Sequence, residues 1–485
     1  MNVLFIAAEA APFAKVGGMA DVVGSLPAAL REAGVDARVV LPGYGFIKHE
    51  KYNITHLFTY TVSLREGNAD VKVFSTVYDN IPFYFLQAYP YFGNEQTVYT
   101  EWNWDSPRFI FFNQIVMGFM WEMNTRFGWF PDVAHVNDWH TGLVPFLIFQ
   151  NREETRWARL ASVVSIHNLA YQGDHVGGWL YQAGIHGRHH PDLAYQDLTD
   201  NMLAIALAYS DMLSTVSPRY AVEIQYPYMG YGLDGLIRTR INDLYGILNG
   251  IDVKLWNPAT DPDIKYHFSV KDFDHKRIDN KRYLQAQLGL DVRDDAMLVG
   301  IVSRMVWQKG MDLAVPALSR LLSQYDVQVV ALGTGEPHIE SQLRRLEQIF
   351  GRNVRCKLSY DGAIAQQIYA GCDVFLMPSH FEPCGTGQMV AMRYGALPLV
   401  RETGGLADTV ENYDDSNADK GTGFVFQWEE SEAVFGTLRW AYTTYRERPE
   451  AWKRMQRRAM ERDFSWDLSA RQYIEMYNKA KAKKL

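Results

Sequence analysis

Two positively charged side chains, Arg304 and Lys309, have the types and the spacing to bind a pair of phosphate groups. Arginine can hold one phosphate through two parallel hydrogen bonds, and lysine adds a point charge. They stand between an apolar run at 297–303, of the kind that forms a buried strand, and a helical pattern at 310–323. Ligands of parallel α/β sheets bind beyond the carboxyl ends of the strands, so this position favours phosphate binding over a solvated pair of surface charges.

A second segment, Ser-His-Phe-Glu-Pro-Cys-Gly-Thr-Gly-Gln at 379–388, offers a carboxylate and glycine-rich backbone amides. Gly385 and the glycine at 387 would let a phosphate approach the backbone N–H groups before the next helix. Glu382 could bind the hydroxyl groups of a sugar, or could instead be a helix-terminal charge that contributes up to about 1 kcal/mol. Cys384 could be a nucleophile, but without a base nearby in the sequence an ordinary loop cysteine is favoured.

The first glycine pair of the chain lies in the segment Lys-Val-Gly-Gly-Met-Ala-Asp at 15–21. Gly17 and Gly18 would let a ligand approach the backbone, the following helix would present free N–H groups, and Lys15 would add charge. The alternative is an ordinary glycine turn beside a surface lysine. The spacing fits neither a dinucleotide fingerprint nor a P-loop.

Polar residues also follow two apolar runs of the N-terminal half, at 133–136 and 162–166. Asp138 comes after the first run and His167 after the second. Acidic, imidazole and amide groups at neighbouring strand ends suit a polyol ligand, although a single histidine is more often a structural residue.

Metal binding is not predicted. The aspartate pairs at 261/263 and 272/274 have a D-x-D spacing, but neither follows a strand of the repeating pattern, so both are interpreted as solvated surface. The adjacent histidines at 189 and 190 have no partners placed by the sequence to complete a metal site.

The elements that must position these loops alternate between strands and helices. Residues 3–8, 20–33 and 37–41 form one strand–helix–strand unit, and the alternation restarts at 297 after a polar, turn-rich stretch near 249–263. The pattern predicts an α/β protein with two doubly wound parallel-sheet domains joined near 246–260. The cleft between two such domains is the expected active site.

Composition narrows the class of protein. The 485 residues are 47% hydrophobic and carry a net charge of −8, which suits a globular protein and disfavours a nucleic-acid partner. The three cysteines form no C-x-x-C pair, and neither a signal peptide nor a membrane span is recognised. The predicted location is the cytoplasm, and the oligomeric state stays open.

Five motifs, taken together and in order, resemble bacterial glycogen synthase and plant starch synthase. They are K-V-G-G-M-A-D, H-N-L-A-Y-Q-G, V-S-R-x-x-x-Q-K-G, F-E-P-C-G and T-G-G-L-A-D-T-V, and the similarity runs from residue 1 to about 468. The resemblance implies a GT-B fold, ADP-glucose as donor and an α-1,4-glucan as acceptor. It also implies transfer with retention at the anomeric carbon, with no metal or other cofactor.

The resemblance also implies roles for individual residues. Lys309 and Arg304 would hold the diphosphate, and Glu382 would bind glucose hydroxyls. Asp138 and His167 would face the transferred glucose. The remaining implied donor-site residues are Lys15, Gly17, Gly18, Asp21, Asn249 at the hinge, Tyr360 near adenine, and Cys384, Gly385 and Thr386 through backbone N–H groups.

The same resemblance suggests three chain segments. An acceptor-side domain would span 1–247, a nucleotide-sugar domain 248–462, and a last helix at 463–485 would return to the first domain. The sequence departs from the bacterial pattern at Thr386 and the following glycine, where Leu-Thr is usual, and has Val390 where the wider retaining group has a second glutamate.

Two chemical routes to retention stay open: a front-face reaction on the side of the leaving phosphate, and a double displacement through Asp138 or a nearby group. Rival functions are a UDP-glucose or small-acceptor glucosyltransferase, a non-catalytic glucan-binding protein and a nucleotide-dependent oxidoreductase. The missing G-x-G-x-x-G fingerprint disfavours the last, and the retained charged loop residues disfavour the binding protein.

Overall fold

The computed structural model describes residues 1–65 and 67–484, which divide into two compact units. Unit 1 consists of residues 1–250 together with the residues from 466 onward, and unit 2 of residues 251–465. The chain therefore leaves unit 1 once and returns to it for its last helix.

Unit 1 is built on a nine-stranded sheet with the order β3-β4-β5-β2-β1-β6-β7-β8-β9. Strands β3, β4 and β5 pair antiparallel, and the other pairings are parallel. The strands are β1 Asn2–Ile6, β2 Asp36–Pro42, β3 Thr55–Leu64, β4 Gly67–Tyr78, β5 Ile81–Gln87, β6 Val133–Asn137, β7 Ala161–Ile166, β8 Met212–Thr215 and β9 Leu244–Gly246.

The helices of unit 1 connect these strands. They are α1 Gly18–Glu32, α2 Trp102–Phe127, α3 Val144–Gln150, α4 Thr155–Arg159, α5 Gly177–Gln182, α6 Pro191–Tyr195, α7 Met202–Tyr209, α8 Pro218–Glu223, α9 Pro227–Gly230, α10 Asp234–Thr239 and the last helix of the chain, α19 Trp466–Ala482. Tyr473 and Tyr477 are buried on one face of α19, and the Tyr477 hydroxyl lies 2.7 Å from Nδ1 of His135 in β6. The aromatic face of α19 thus completes the core of unit 1.

Unit 2 has a six-stranded, fully parallel sheet with the order β12-β11-β10-β13-β14-β15, the order of a doubly wound nucleotide-binding sheet. Its strands are β10 Met297–Val302, β11 Val327–Leu332, β12 Val354–Lys357, β13 Val374–Met377, β14 Leu397–Arg401 and β15 Phe424–Phe426. Its helices are α11 Phe273–Leu288, α12 Met311–Gln324, α13 Pro337–Phe350, α14 Gly362–Gly371, α15 Gly387–Arg393, α16 Gly404–Thr409, α17 Ser431–Glu447 and α18 Pro449–Glu461.

The predicted architecture of two parallel-sheet α/β domains is confirmed. Continuous apolar runs form the central strands because both faces of a parallel sheet are covered by helices, as in β10, where Met297 to Ile301 are fully buried. The loops singled out by their chemistry follow the carboxyl ends of β1, β6, β7, β10 and β13. None of the described helices is both long and apolar enough to cross a membrane.

The interpretation of the aspartate pair at 261/263 as solvated surface is wrong for its first member. Asp261 is 1% exposed, and it accepts hydrogen bonds from the Tyr394 hydroxyl at 2.5 Å and from the backbone N–H of Asp263 at 2.9 Å. A buried carboxylate needs such donors, so the stretch that resembled a linker is packed into unit 2.

Candidate active site

In unit 1, a buried carboxylate fixes the loop after β1. Glu9 is 3% exposed, and one of its oxygens accepts hydrogen bonds from the backbone N–H groups of Val16 at 2.6 Å and Gly17 at 2.8 Å. Its other oxygen accepts from the hydroxyl of Tyr99. These bonds hold the glycine loop in one conformation, and the exposed Lys15 and Asp21 form an ion pair of 2.5 Å beside it.

The packing of unit 1 does not itself require glycine at the two positions of this loop. A Cβ added at Gly17 would meet nothing closer than Glu9 Oε1 at 3.9 Å, and one added at Gly18 would meet no atom within 4 Å. Neither residue has the positive φ that disfavours side chains. The bare backbone is therefore available to a ligand that approaches closely.

Asp138 and His167 lie together at the carboxyl ends of β6 and β7. Asp138 has a φ of +54°, a strained value for a residue other than glycine, and its side chain accepts a hydrogen bond from the backbone N–H of His167 at 2.7 Å. Burial raises the pKa of Asp138 to about 7 and lowers the pKa of His167 to about 4. A neutral imidazole and a partly protonated carboxyl group therefore coexist near pH 7.

The proton of the neutral His167 ring can be assigned. Its Nε2 lies 2.9 Å from Oδ1 of Asn137, whose own amide nitrogen donates to the carbonyls of Ile6 and His135. Because the Asn137 oxygen can only accept, Nε2 of His167 donates and Nδ1 carries the lone pair.

In unit 2, the loops after β10 and β13 meet at an ion pair. Lys309 Nζ lies 2.5 Å from Glu382 Oε2, and the two side chains are 18% and 8% exposed. The Ser379 hydroxyl donates to the same carboxylate oxygen at 3.1 Å. Arg304 is exposed and close to the Gln308 side chain, with Nη2 at 3.4 Å from Oε1.

The backbone after Glu382 offers hydrogen-bond donors. Within the described residues, the N–H groups of Gly385 and Thr386 have no partner. The buried side chain of Gln388 donates to the carbonyls of Cys384 and Gly385, each at 3.1 Å, and so turns the loop carbonyls inward. Two free amides directly after Glu382, which is paired with the cation Lys309, form a site for an anion.

The T-G-G motif, residues 403–405, packs against the backbone of this loop. A Cβ at Gly404 would lie 2.0 Å from the Glu382 carbonyl oxygen, and one at Gly405 would lie 2.2 Å from that of Cys384. The N–H of Gly405 donates to the Glu382 carbonyl at 3.2 Å. Only glycine permits this approach, so the motif is a structural base for the Glu382 loop.

Comparison with known proteins gives the family. A starch synthase catalytic domain model matches residues 2–239, and a glycosyl transferases group 1 model matches residues 289–459. Glycogen synthase of Streptococcus sanguinis is 41% identical over 486 residues, with 98% of this chain and 99% of the relative covered, and that of Syntrophotalea carbinolica is 40% identical over 488 residues, with 99% of each covered. The chain belongs to the glycogen/starch synthase family.

A solved structure agrees with this membership. The catalytic domain of starch synthase IV from Arabidopsis thaliana, bound to ADP and acarbose, superposes with a TM-score of 0.89 and 33% identity, with 99% of each chain covered. The family resemblance and the GT-B fold predicted from the sequence motifs are thereby confirmed, and the chain is a glycosyltransferase.

The structure places the predicted site residues of this glycogen/starch synthase family member in distinct groups. Lys309 pairs with Glu382, Asp138 with His167, and Lys15 with Asp21. Cys384 is buried, whereas Tyr360 is 93% exposed. Asn249 is buried at the end of unit 1, and its amide oxygen has no hydrogen-bond partner among the residues described.

Three polar residues of the site were not predicted: Glu9, Tyr99 and Ser379. The one sequence signal for Glu9 is a carboxylate that interrupts an apolar run directly after a strand. Between residues 1 and 484, Glu66 apart, no cluster of three or more His, Cys, Asp or Glu side chains is arranged to hold a metal ion.

The raised pKa of Asp138 predicts a pH-dependent stability. Because its pKa is about 7 in the folded protein against an ordinary value of 3.8, ionisation opposes folding as the pH rises between these values. From about pH 5 to about pH 8, wild type is expected to lose roughly 1–3 kcal/mol of stability relative to Asp138→Asn, which cannot ionise. Urea unfolding of both proteins at each pH tests this, and parallel pH profiles would contradict it.

Proposed function

We propose that this glycosyltransferase moves glucose from ADP-glucose to the end of an α-1,4-glucan with retention of the anomeric configuration. The observation that carries the proposal is the Lys309–Glu382 pair beside the free amides of Gly385 and Thr386. A nucleotide sugar presents a diphosphate next to hydroxyl groups, and this arrangement offers cations and N–H donors next to a carboxylate.

In unit 2, the nucleotide-sugar domain of the proposal, Lys309 and Arg304 neutralise the charge that develops on the departing diphosphate. The amides of Gly385 and Thr386 bind its phosphate closest to the sugar, and Glu382 accepts hydrogen bonds from glucose hydroxyls. Groups fixed before the reaction stabilise such charge most effectively, and the buried ion pair is fixed in this way. The exposed Tyr360 ring is assigned to the adenine.

In unit 1, the acceptor side of the proposal, the bare backbone at Gly17 and Gly18 approaches the donor, with Lys15 as an additional cation. Asp138 and His167 contact the transferred glucose. Asp21 and the unpartnered amide oxygen of Asn249 are assigned to donor binding.

The chemical step is proposed to occur on one face of the sugar. The bond between glucose C1 and the ADP oxygen breaks, the acceptor hydroxyl oxygen bonds to C1, and its proton moves to the departing phosphate oxygen. The contacts of Asp138 support this route over double displacement, because one of its two carboxylate oxygens already accepts a hydrogen bond from the backbone N–H of His167. Trapping of a glucosyl adduct on Asp138 would favour the other route.

A donor and acceptor panel tests the proposal. Purified protein is incubated with labelled ADP-glucose or UDP-glucose, with glycogen, maltose or no acceptor, in the presence and absence of EDTA. Transfer from ADP-glucose to glycogen, insensitive to EDTA and with α-linked product, is expected. Preference for UDP-glucose or for the small acceptor would establish the related glucosyltransferase instead, and the absence of any transfer would refute the proposal.

A further inference from the structure

His380 is a buried histidine that none of the roles above uses. It lies between Ser379 and Phe381 in the loop that carries Glu382, and it is 5% exposed. The indole of Trp307 stacks on its imidazole, with ring centroids 4.2 Å apart and an angle of 11° between the planes. Trp307 belongs to the short turn that ends at Lys309.

Both ring nitrogens of His380 face carboxylates. Nδ1 lies 2.5 Å from Glu429 Oε1, and Nε2 lies 2.8 Å from Asp312 Oδ1 in α12. Arg401 Nη1 is 3.8 Å from the other oxygen of Glu429. Each carboxylate oxygen can accept a hydrogen bond from the ring nitrogen that faces it, so the imidazole connects the segment at Glu429 to α12.

The backbone of His380 is fixed as well. Its N–H donates to the carbonyl of Gln308 at 2.9 Å, and its carbonyl accepts a hydrogen bond from Arg401. The Gln308 side chain donates in turn to the carbonyl of Phe381 at 3.3 Å. Gln308, one position before Lys309, is therefore hydrogen-bonded directly to His380, two positions before Glu382.

We infer that His380 is a positioning residue for the donor site. Through its ring and backbone contacts it ties α12 and the turn at 307–309 to the loop at 379–386, and so sets the geometry of the Lys309–Glu382 pair. This inference rests on the proposed function, because the pair is taken to act on ADP-glucose. His380 itself touches no reacting atom.

The test compares two substitutions. A glutamine at 380 can donate to only one of the two carboxylates, whereas the planar guanidinium of arginine can donate to both. His380→Gln is expected to lower kcat about tenfold and raise the KM for ADP-glucose severalfold, with an unchanged KM for glycogen, since a shift of about 1 Å at a reacting group can cost up to about 10²-fold. His380→Arg is expected to recover most of both values.

Two further variants keep the test decisive. Gln456→Ala removes another buried polar side chain of unit 2, whose amide donates to the Gly395 carbonyl at 2.7 Å, and should lower the unfolding temperature without changing the KM for ADP-glucose. Glu429→Ala removes a 47% exposed hydrogen-bond acceptor of His380 and should raise the KM for ADP-glucose. It tests the same role even if His380→Gln fails to fold.

The outcomes separate the two proposals. Unchanged donor KM and kcat in His380→Gln, or an His380→Arg variant as impaired as His380→Gln, would overturn the positioning role while leaving the proposed function intact. An unchanged donor KM in Glu429→Ala would also count against it. If the wild-type protein transferred no glucose from ADP-glucose, the proposed function would fail and this inference with it.

Discussion

Replacement of Lys309 by alanine is expected to lower kcat by about 10²–10³-fold, the loss seen when one preorganised charge-stabilising donor is removed. Lys309 supplies a cation where the diphosphate departs, and it also neutralises Glu382, whose side chain is 8% exposed. Stability should fall by about 3 kcal/mol, because breaking a buried ion pair leaves one charge without its partner. Steady-state kinetics with ADP-glucose and glycogen, together with urea unfolding, measure the two effects.

A double variant separates these effects. Lys309→Ala combined with Glu382→Gln removes both charges, so stability should recover in part while turnover stays low. The matched control is Lys453→Ala in α18, a half-exposed lysine 3.7 Å from Glu450, which should change neither quantity. A Lys309→Ala variant that keeps half of the wild-type turnover would remove the main support for the proposed donor site.

Replacement of Gly18 by valine is expected to leave the unfolding temperature unchanged and to lower kcat/KM for ADP-glucose by about 10²-fold. The free protein has room for the side chain, because no atom lies within 4 Å of a Cβ at this position. The added methyl groups would occupy the space through which the donor approaches the backbone. Thermal unfolding and initial rates over a range of ADP-glucose concentrations give both numbers.

Gly24, in the same helix α1, provides the opposite control. A Cβ there would lie 2.6 Å from the carbonyl oxygen of Ala11, so Gly24→Ala should lower the unfolding temperature. If Gly18→Val destabilised the protein as much as Gly24→Ala, the glycine at 18 would be structural and the argument for ligand contact would fail.

The central strands could be predicted from the sequence, but the edge of unit 1 could not. Burial on both faces produces the continuous apolar runs of β1 and β10, which are visible without a structure. Strands β3 and β4 have one exposed face, so buried and exposed residues alternate along them. They contain no continuous apolar run and are not recognised by a search for such runs.

The site was predictable as separate chemical groups rather than as contacts. The spacing of Arg304 and Lys309 indicated a phosphate site, but the partner of Lys309 lies 73 residues further along the chain. Burial of Asp261 depends likewise on Tyr394, 133 residues away. Pairings of this kind follow from the three-dimensional packing of loops, which local patterns do not encode.

The position of α19 fixes an order of events during synthesis. Residues 466–482 leave the ribosome only after all of unit 2, yet their buried aromatic side chains belong to the interior of unit 1. The N-terminal part of unit 1 therefore lacks α19, and the surface around His135 stays uncovered, while some two hundred later residues are translated. A chaperone that shields apolar surface would have its longest opportunity to act in that interval.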